Sequence, residues 1–274
     1  MNKMLTLLLF ILLLLMACKP GNEPVDDKAS HDDSLERVKQ AGVIRWGADV
    51  IGGMPYVFED PNNPGTYIGF EVDIAAGIAK QLGVRQELIV RAWDNLIPDL
   101  QRGAFDMAMN GIEGTEYRSK IVLFSEPYFV YAQQITVRKE TQDINRLEDL
   151  KGKTVATLSG TAAEDLLRSI PQIQVKINPE IIYSYQDLEK GEVDAVVLDT
   201  PIAAAYGAAK NPKLKNVGEL FGEGVYIIAF RQDQVALRDT INDIIKHMKQ
   251  SGELRSIYEK WNMMSPQQAE IGIR

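Results

Sequence analysis

The sequence predicts an α/β protein in which parallel or mixed sheets are covered by helices. Short apolar strands alternate with amphipathic helices from Val43 onward, and this rhythm is typical of parallel strands joined by helices. One helix-to-strand phrase occurs twice, as LQRGAFDMAM at residues 100–109 and LEKGEVDAVV at residues 188–197. In each copy a glycine ends a helix and an aspartate precedes a buried strand. The repetition predicts two lobes of similar build.

The individual elements follow from apolar periodicity and from the residues that interrupt it. In the first half, strands are predicted at residues 43–49, 86–90 and 105–109, and helices at residues 71–82 and 95–101. In the second half, strands are predicted at residues 153–157 and 193–198, and helices at residues 162–169, 185–190 and 201–210.

Two extended apolar runs, at residues 128–137 and 225–230, flank the second half of the chain. If both cross between the lobes, the second lobe is an insertion. Lobe 1 is then predicted at residues 35–132 and 229–274, and lobe 2 at residues 133–228. Two crossing segments would form a hinge that bends about one axis. A single continuous sheet without a hinge is the alternative, which periodicity alone leaves open.

The N-terminal segment predicts export and attachment to a membrane. The apolar run at residues 4–17 is shorter than the roughly 20 residues of a membrane-spanning helix and suits a signal peptide. It ends in LMAC, which is similar to a bacterial lipobox, so removal of residues 1–17 and lipidation of Cys18 are predicted. An uncleaved anchor helix or a plain signal peptide is the alternative. Residues 18–34 are polar and acidic, which predicts a flexible tether.

Composition excludes several classes of function. The 274 residues include 30 Lys and Arg against 38 Asp and Glu, for a net charge of −8. This balance argues against nucleic-acid binding. With only two histidines and one cysteine, a zinc site, a Cys–His pair and a disulfide are all implausible. No cofactor or metal is expected, and the exported, lipid-anchored protein is expected to be a monomer.

Seven motifs follow one another along the chain: GFEVDIA at 69–75, WDNLIPDLQ at 93–101, NGIEGTEYR at 110–118, FSEPY at 124–128, SGT at 159–161, DAVVLD at 194–199 and YEKW at 258–261. This series resembles the polar amino-acid-binding proteins that serve ABC importers, the family 3 solute-binding proteins. The resemblance covers nearly the whole folded part. It implies a two-lobed periplasmic-binding-protein fold of type II with a two-strand hinge. It also implies a polar amino acid as ligand, a transporter permease as partner, and a location in the periplasm or on the cell surface.

A zwitterionic ligand needs a cation for its carboxylate and an acid for its ammonium group. The guanidinium of Arg118 suits a carboxylate, and the resemblance implies that it binds the ligand α-carboxylate. The turn at Gly160, Thr161 and Ala162 opens a helix whose N–H groups can hold the same carboxylate from the second lobe. Asp199 ends an apolar strand, and the resemblance implies that it binds the ammonium group.

Each of these residues also has an ordinary structural interpretation. Arg118 could be a solvated helix charge, Thr161 could form a capping box with Glu164, and Asp199 could cap the helix that follows it. The resemblance favours the binding roles. It also places Asp49, Tyr56 and Trp93 beside the ligand side chain.

The NGIEGT motif adds Asn110, Gly111, Glu113 and Thr115 to the predicted site. Glu113 departs from the family pattern, since many relatives have threonine at this place. A carboxylate beside the ligand α-carboxylate would be repulsive. Glu113 is therefore predicted either to turn away or to bind the ammonium group or a cationic side chain.

The acids around Trp93 suit a cationic amino acid. We hypothesise arginine, lysine or histidine as the ligand, with glutamine next. An enzyme similar to cyclohexadienyl dehydratase, with Glu113 or Asp199 as general acid, is one alternative function. An amino-acid sensor module is another. The resemblance favours a binding protein without enzymatic activity.

Overall fold

The computed structural model describes residues 32–51, 53–207 and 211–274. The predicted signal peptide, Cys18 and most of the predicted tether lie outside these residues. In the described part, no helix is long and apolar enough to cross a membrane. The helices are α1 (Ser34–Ala41), α2 (Phe70–Leu82), α3 (Leu96–Gln101), α4 (Glu116–Ser119), α5 (Ala162–Ser169), α6 (Ile181–Lys190), α7 (Thr200–Tyr206), α8 (Val235–Gln250) and α9 (Glu253–Lys260).

Most strands are short. They are β1 (Val43–Ala48), β2 (Phe58–Glu59), β3 (Tyr67–Ile68), β4 (Arg85–Val90), β5 (Met107–Ala108), β6 (Leu123–Phe124), β7 (Phe129–Arg138), β8 (Thr154–Leu158), β9 (Gln174–Asn178), β10 (Ala195–Asp199), β11 (Leu214–Tyr226) and β12 (Ala229–Phe230). Single 3₁₀ turns occupy Trp93–Asn95, Leu147–Leu150 and Pro266–Ile271.

Ten of the strands form two mixed five-stranded sheets. The first has the order β4-β1-β5-β12-β6, and the second has the order β11-β7-β10-β8-β9. The first three strands of the first sheet are parallel, and β12 is antiparallel to both of its neighbours. In the second sheet β9, β8 and β10 are parallel, whereas β7 pairs antiparallel with both β10 and β11. Each sheet is therefore the core of one lobe.

The chain crosses between the two sheets twice, between β6 and β7 and again between β11 and β12. The two crossings run side by side, because Tyr128 N donates to Tyr226 O at 3.1 Å and Ser125 N donates to Ile228 O at 2.9 Å. A paired crossing of this kind is what a two-strand hinge requires. The lobe limits at 132/133 and 228/229 stay a prediction.

The repeated phrase builds the same junction in each lobe. Its glycine has a φ of +77° in the first copy and +76° in the second, which is the left-handed conformation that glycine adopts at helix ends. In the first copy Asp106 Oδ2 accepts from Arg45 N at 2.8 Å, and in the second Asp194 Oδ2 accepts from Thr154 N at 2.8 Å. In both lobes the aspartate thus binds the backbone of the neighbouring parallel strand.

The start of the folded part differs from the prediction. Ser34, which the sequence assigns to the tether, begins α1 and is buried. Its Oγ accepts from Leu237 N at 3.2 Å, and the Asp32 carboxylate accepts from Ser34 N and from Ala236 N at the start of α8. These polar side chains satisfy helix N–H groups, which helps to order the start of the folded part.

Other boundaries also shift. Helix α6 begins at Ile181, four residues before its predicted start. Ile181 is a poor helix former, but its burial in the core outweighs this local preference. Strand β5 is shorter than the predicted strand at residues 105–109. It consists of Met107 and Ala108, the two residues that pair with β1.

Glu71 is buried at the start of α2, beneath the Gly111 turn. Its Oε1 accepts from Gly111 N at 2.7 Å and from the Tyr128 hydroxyl at 2.5 Å. Its Oε2 is buried without a hydrogen-bond partner among the described residues. Burial raises the pKa of Glu71 to about 8, against a usual value of 4.5. The carboxyl group therefore positions the turn largely in its protonated form.

This pKa predicts how stability depends on pH. An acid whose pKa is raised by folding binds an extra proton in the folded state, so the free energy of unfolding falls as pH rises from 4.5 to about 8. The slope from one proton is at most about 1.4 kcal/mol per pH unit. In Glu71→Gln this contribution disappears and the decline should be shallower. Denaturant unfolding across this range measures it, with the exposed Glu116→Gln as control. Identical slopes for the wild type and Glu71→Gln would contradict the assignment.

Candidate functional site

A small cavity lies where the carboxyl ends of strands from both sheets meet, as expected for α/β folds. Its volume is about 30 Å³, which is space for two or three waters. The cavity is therefore too small in this form to hold a solute the size of an amino acid. Four carboxylate residues line the cavity together with aromatic, aliphatic and small residues: Asp49, Ile51, Gly53, Tyr56, Trp93, Asn110, Gly111, Glu113, Leu158, Thr161, Glu180, Ile181, Leu198, Asp199 and Ile202.

Most of the predicted site residues come together here. Those that line the cavity are Asp49, Tyr56, Trp93, Asn110, Gly111, Glu113, Thr161 and Asp199. Thr115, Arg118 and Gly160 line an adjoining surface pocket, which shares Trp93 and Thr161 with the cavity. Ala162 contributes its backbone N–H to the cleft.

Asp49 organises the lobe 1 side of the cavity. It directly follows β1, and its Oδ1 and Oδ2 accept from Ile51 N at 2.8 Å and from Trp93 N at 2.9 Å. Its own N–H donates to Asn110 Oδ1 at 3.1 Å. Burial raises the pKa of Asp49, although these backbone donors oppose the shift. The side chain thus ties the ends of β1 and β5 to the Trp93 turn and places a carboxylate at the cavity wall.

Gly111 is required by the close approach of Tyr56. Its φ is +62°, and a Cβ at this position would lie 2.7 Å from the Tyr56 ring. The Tyr56 hydroxyl in turn lies 2.7 Å from the Tyr226 hydroxyl. Tyr56 therefore packs over the glycine turn and reaches the segment that crosses between the lobes.

Asp199 ends β10 and is only 5% exposed. The Tyr226 hydroxyl donates to its Oδ2 at 2.6 Å, and Gln133 Nε2 donates to its Oδ1 at 2.6 Å. Asp199 stands at the N-cap position of α7, as the alternative interpretation predicted, but its side chain makes no capping hydrogen bond to that helix. Burial and the neighbouring charge of Glu113 raise the pKa of Asp199 well above its usual value. Asp199 is a buried acid whose hydrogen-bond partners are both uncharged.

The Arg118 guanidinium is bound by the protein's own oxygens. Its Nη1 donates to Glu113 Oε2 at 2.5 Å and to Glu113 O at 2.9 Å, and its Nη2 donates to Gly160 O at 2.8 Å. The guanidinium also lies over the Trp93 ring, 5.4 Å from its centre. The fork predicted for a ligand carboxylate is therefore partly occupied by protein oxygens. Glu113 is 1% exposed and forms an ion pair with Arg118. Its carboxylate is therefore neither turned away from the site nor left unpaired for a ligand cation.

The start of α5 faces the same carboxylate from lobe 2. Ala162 N donates to Glu113 Oε1 at 3.0 Å. The predicted capping interaction is present, since Thr161 Oγ1 accepts from Glu164 N at 3.3 Å. The reciprocal bond goes from Gly160 N to Glu164 Oε2 at 2.8 Å, one residue earlier than in a standard capping box.

Four hydrogen bonds join lobe 1 to the turn at residues 159–162. Two are the bonds of Arg118 to Gly160 O and of Glu113 to Ala162 N. In the other two, Trp93 Nε1 donates to Ser159 O at 2.8 Å and Ser159 Oγ donates to Asp94 Oδ1 at 2.8 Å. The structure is therefore a closed form whose lobes are bridged by protein groups.

Several residues of the cavity and its surroundings were not predicted from the sequence. Glu180 lies between β9 and α6, and its pKa is raised by burial and by the charges of Asp49 and Asp94. Its place after a strand is a signal that the strand-end rule could have used. Gln133 and Tyr226 lie within long strands, where no sequence signal distinguishes them from core residues.

Two α/β lobes that close over a polar cleft at their strand ends define a two-lobed solute-binding protein. Residues 49–264 match the sequence model of the bacterial extracellular solute-binding proteins, family 3. The chain belongs to this family, as the motifs predicted.

Individual relatives agree with this result. The L-cystine-binding protein TcyJ of Escherichia coli (strain K12) is 32% identical over 229 residues, which cover 83% of this chain and 85% of that protein. The arginine-binding periplasmic protein of Mannheimia haemolytica is 35% identical over 214 residues, which cover 74% of this chain and 86% of that protein. The structure of an ancestral arginine-binding protein bound to arginine has a TM-score of 0.75 and 39% identity, and it covers 80% of this chain and 98% of that chain. The predicted two-lobed fold is confirmed.

The indole of Trp93 predicts an effect on lobe closure. Trp93→Phe keeps an aromatic ring and removes the donor to Ser159 O, a bond worth about 0.5–1.5 kcal/mol. The ratio of open to closed forms should rise by up to about tenfold. Small-angle scattering of the ligand-free protein should show a larger radius of gyration. Trp261→Phe is the matched control, because its indole bonds to Asp73 within lobe 1. Equal radii for the two variants would count against the bridging role.

Proposed function

We propose that this chain captures a small cationic amino acid between its lobes and delivers it to the permease of an ABC importer. Membership of the solute-binding family supports the transport role. The relatives named for arginine and for L-cystine support an amino acid as the class of solute. Arginine, lysine and histidine are the first candidates, with glutamine next.

The buried carboxylate of Asp199 carries this proposal. A buried charge is costly unless an opposite charge compensates it. The partners of Asp199 are a hydroxyl and an amide, and the nearby Glu113 adds a second negative charge. Because Arg118 is paired with Glu113, the acids Asp49, Glu180 and Asp199 leave the cavity with an excess of negative charge. A ligand ammonium or guanidinium group would supply the missing counter-charge.

The same contacts favour binding over catalysis. Both carboxylate oxygens of Asp199 and both of Glu113 accept hydrogen bonds from protein groups. A general acid must direct a proton at its substrate, whereas protein hydrogen-bond donors already face all four of these oxygens. The proposed role is therefore capture and release of an unchanged solute.

Closure of the lobes is proposed to follow from the placement of the acids. Asp49 and Glu113 belong to lobe 1, whereas Glu180 and Asp199 belong to lobe 2. A cation between them interacts with both lobes at once, and only in the closed form. It therefore shifts the population toward closure, and the closed protein would dock on the permease.

The N-terminal segment supports a membrane-attached form of this protein. The LMAC pattern and the apolar run before it suit cleavage and lipidation at Cys18. The anchored protein would act in the periplasm or at the cell surface. Because one chain supplies both walls of the cleft, it would act as a monomer.

Asp199→Asn tests the charge that carries the proposal. The amide keeps an acceptor for Gln133 or Tyr226 but removes the negative charge, and hydrogen bonds to charged groups are worth about 1.5–3 kcal/mol. Affinity for the best cationic amino acid should fall about 10- to 100-fold in calorimetric titration. Asp239→Asn, an exposed acid on α8, is the control and should bind normally. If wild type binds glutamate and none of the cationic amino acids, the charge argument fails.

Affinity should also depend on pH through Asp199. A bound cation favours the ionised carboxylate, and burial raises the pKa of Asp199 in the empty cleft. Binding therefore releases a proton, and affinity for lysine should rise with pH, by at most about tenfold per pH unit for one proton. Titrations in two buffers with different ionisation enthalpies count the protons released. In Asp199→Asn the number of protons released on binding should fall. An unchanged number would show that groups other than Asp199 release them.

A further inference from the structure

We infer that the cleft selects dibasic amino acids, whose side-chain cation binds between Asp49 of lobe 1 and Glu180 of lobe 2. L-Arginine and L-lysine form this class. The assignment rests on the proposed function, and it deepens that function in two ways. It gives the solute a second positive charge, and it makes Glu180 the residue through which lobe 2 recognises the ligand side chain.

The first observation is that the acids of the cleft form two groups. Asp199 lies beside Glu113, whose charge adds to the effect of burial on the pKa of Asp199. Glu180 lies beside Asp49 and Asp94 instead, since burial and then the charges of these two acids raise its pKa. Neither Asp199 nor Glu113 contributes to that shift. The cleft therefore has two separate sites of negative charge, and a dibasic amino acid has two separate cations.

The second observation is that Glu180 has no partner. It stands at the N-cap position of α6, but its side chain makes no capping hydrogen bond. The side chain is half-buried at the cavity wall, and its carboxylate forms no hydrogen bond or ion pair within the described part of the chain. Asp49 and Asp94 accept only from backbone N–H groups and a hydroxyl there. Closure thus brings together like charges that no cation compensates, and such charges repel in a partly desolvated site.

The third observation is that the cavity wall suits a long aliphatic stem. Lobe 2 contributes four aliphatic residues to this wall: Leu158, Ile181, Leu198 and Ile202. On lobe 1, Trp93 connects the two ends of the site, because its N–H donates to Asp49 Oδ2 and its ring lies under the Arg118 guanidinium. Apolar surface of this kind packs against the methylene groups of lysine and arginine, while the charged head reaches polar partners.

The α-carboxylate of such a ligand has donors at the other end of the site. Three hydrogen bonds engage Arg118 Nη1 and Nη2, but Arg118 Nε and the Thr161 N–H have no acceptor among the described residues. Arg118 also lies near Asp199, because its charge opposes the rise in the pKa of Asp199. A ligand with its carboxylate at these donors and its ammonium at Asp199 would extend its side chain along Trp93 toward Asp49 and Glu180.

Other candidate solutes compensate less of the negative charge. Glutamine has no side-chain charge, and an imidazole with its usual pKa of about 6.5 is mostly neutral above pH 7. With either ligand, the repulsion between Asp49 and Glu180 would persist in the closed form. A guanidinium or a primary ammonium group replaces this repulsion with attraction to both lobes, so it favours closure.

L-Citrulline is the matched ligand for a first test. It has nearly the shape of arginine, with a neutral ureido group in place of the guanidinium. L-Norleucine serves in the same way for lysine, because it lacks the side-chain ammonium. The purified protein is titrated calorimetrically with these four amino acids at neutral pH. We expect arginine to bind at least about tenfold more tightly than citrulline, and lysine at least about tenfold more tightly than norleucine.

Substitution of Glu180 should remove much of this preference. In Glu180→Gln, arginine affinity should fall about tenfold or more, whereas citrulline affinity should change by less than about threefold, because only arginine loses an ionic partner. Glu180→Asp keeps the charge and should keep most of the preference. Glu219→Gln is the matched control, since Glu219 is an exposed glutamate on β11 of the same lobe and does not line the cavity. Its ratio of arginine to citrulline affinity should equal that of wild type.

Thermal melts separate recognition of the ligand from a structural role. Without ligand, Glu180→Gln should melt at no lower a temperature than wild type, because the carboxylate that it removes makes no hydrogen bond and is repelled by Asp49 and Asp94. With arginine present, the variant should gain less in melting temperature than wild type does. A lower melting temperature of the ligand-free variant would count against the assignment.

The outcomes distinguish this assignment from the proposed function. If wild type prefers arginine to citrulline and Glu180→Gln keeps the same ratio, Glu180 does not recognise the side chain. The assignment is then overturned, while the cationic solute of the proposed function stands. If wild type binds citrulline as tightly as arginine, the side-chain charge is not selected and both proposals fall. The wild-type ratio decides this second case even if a variant does not fold.

Discussion

A desolvated guanidinium needs oxygen acceptors around it, and Arg118 finds them in both lobes. It binds the side chain and the main chain of Glu113 on its own lobe and Gly160 O on the other, while its face lies on Trp93. Since the charge cannot be left unpaired in a buried site, these acceptors fix the NGIEGT turn, the Trp93 turn and the start of α5 relative to one another. The shape of the closed cleft depends on this arrangement.

The remaining charges of the cleft all have one sign. Asp49 is held by backbone N–H groups and Asp199 by a hydroxyl and an amide, so hydrogen bonds satisfy their oxygens without neutralising their charge. Burial raises the pKa of both acids, because the empty cleft disfavours ionisation. Ionised carboxylates thus raise the free energy of the empty cleft, and a bound cation would lower it again. The proposed selectivity for positive charge would follow from this difference between the empty and the occupied cleft.

The sequence predicted the two sheets, most element positions and eight of the fifteen residues that line the cavity, because periodicity and family motifs both report which strand ends meet. It did not predict the Glu113–Arg118 pair. Glu113 and Arg118 are five residues apart and lie on either side of a turn. Side-chain directions do not repeat regularly along a turn, so the backbone conformation at residues 114–115 determines whether the two side chains face each other. Ser34 was misassigned for a related reason: its hydrogen bond with Leu237 is a tertiary contact, which composition does not contain.

The crossing segment that contains Tyr226 explains how the acids can be kept together while the lobes move. Glu113 forms an isolated β-bridge with Tyr226, and the Tyr226 hydroxyl donates to Asp199. One residue at the crossing therefore positions a carboxylate from each lobe. Points near a hinge axis are displaced least when two bodies rotate about it, so Glu113 and Asp199 stay close in an open form, whereas the contacts at residues 159–162 separate. The open cleft would then already present its negative charge to an incoming cation, and closure would add the bond between Glu113 and α5.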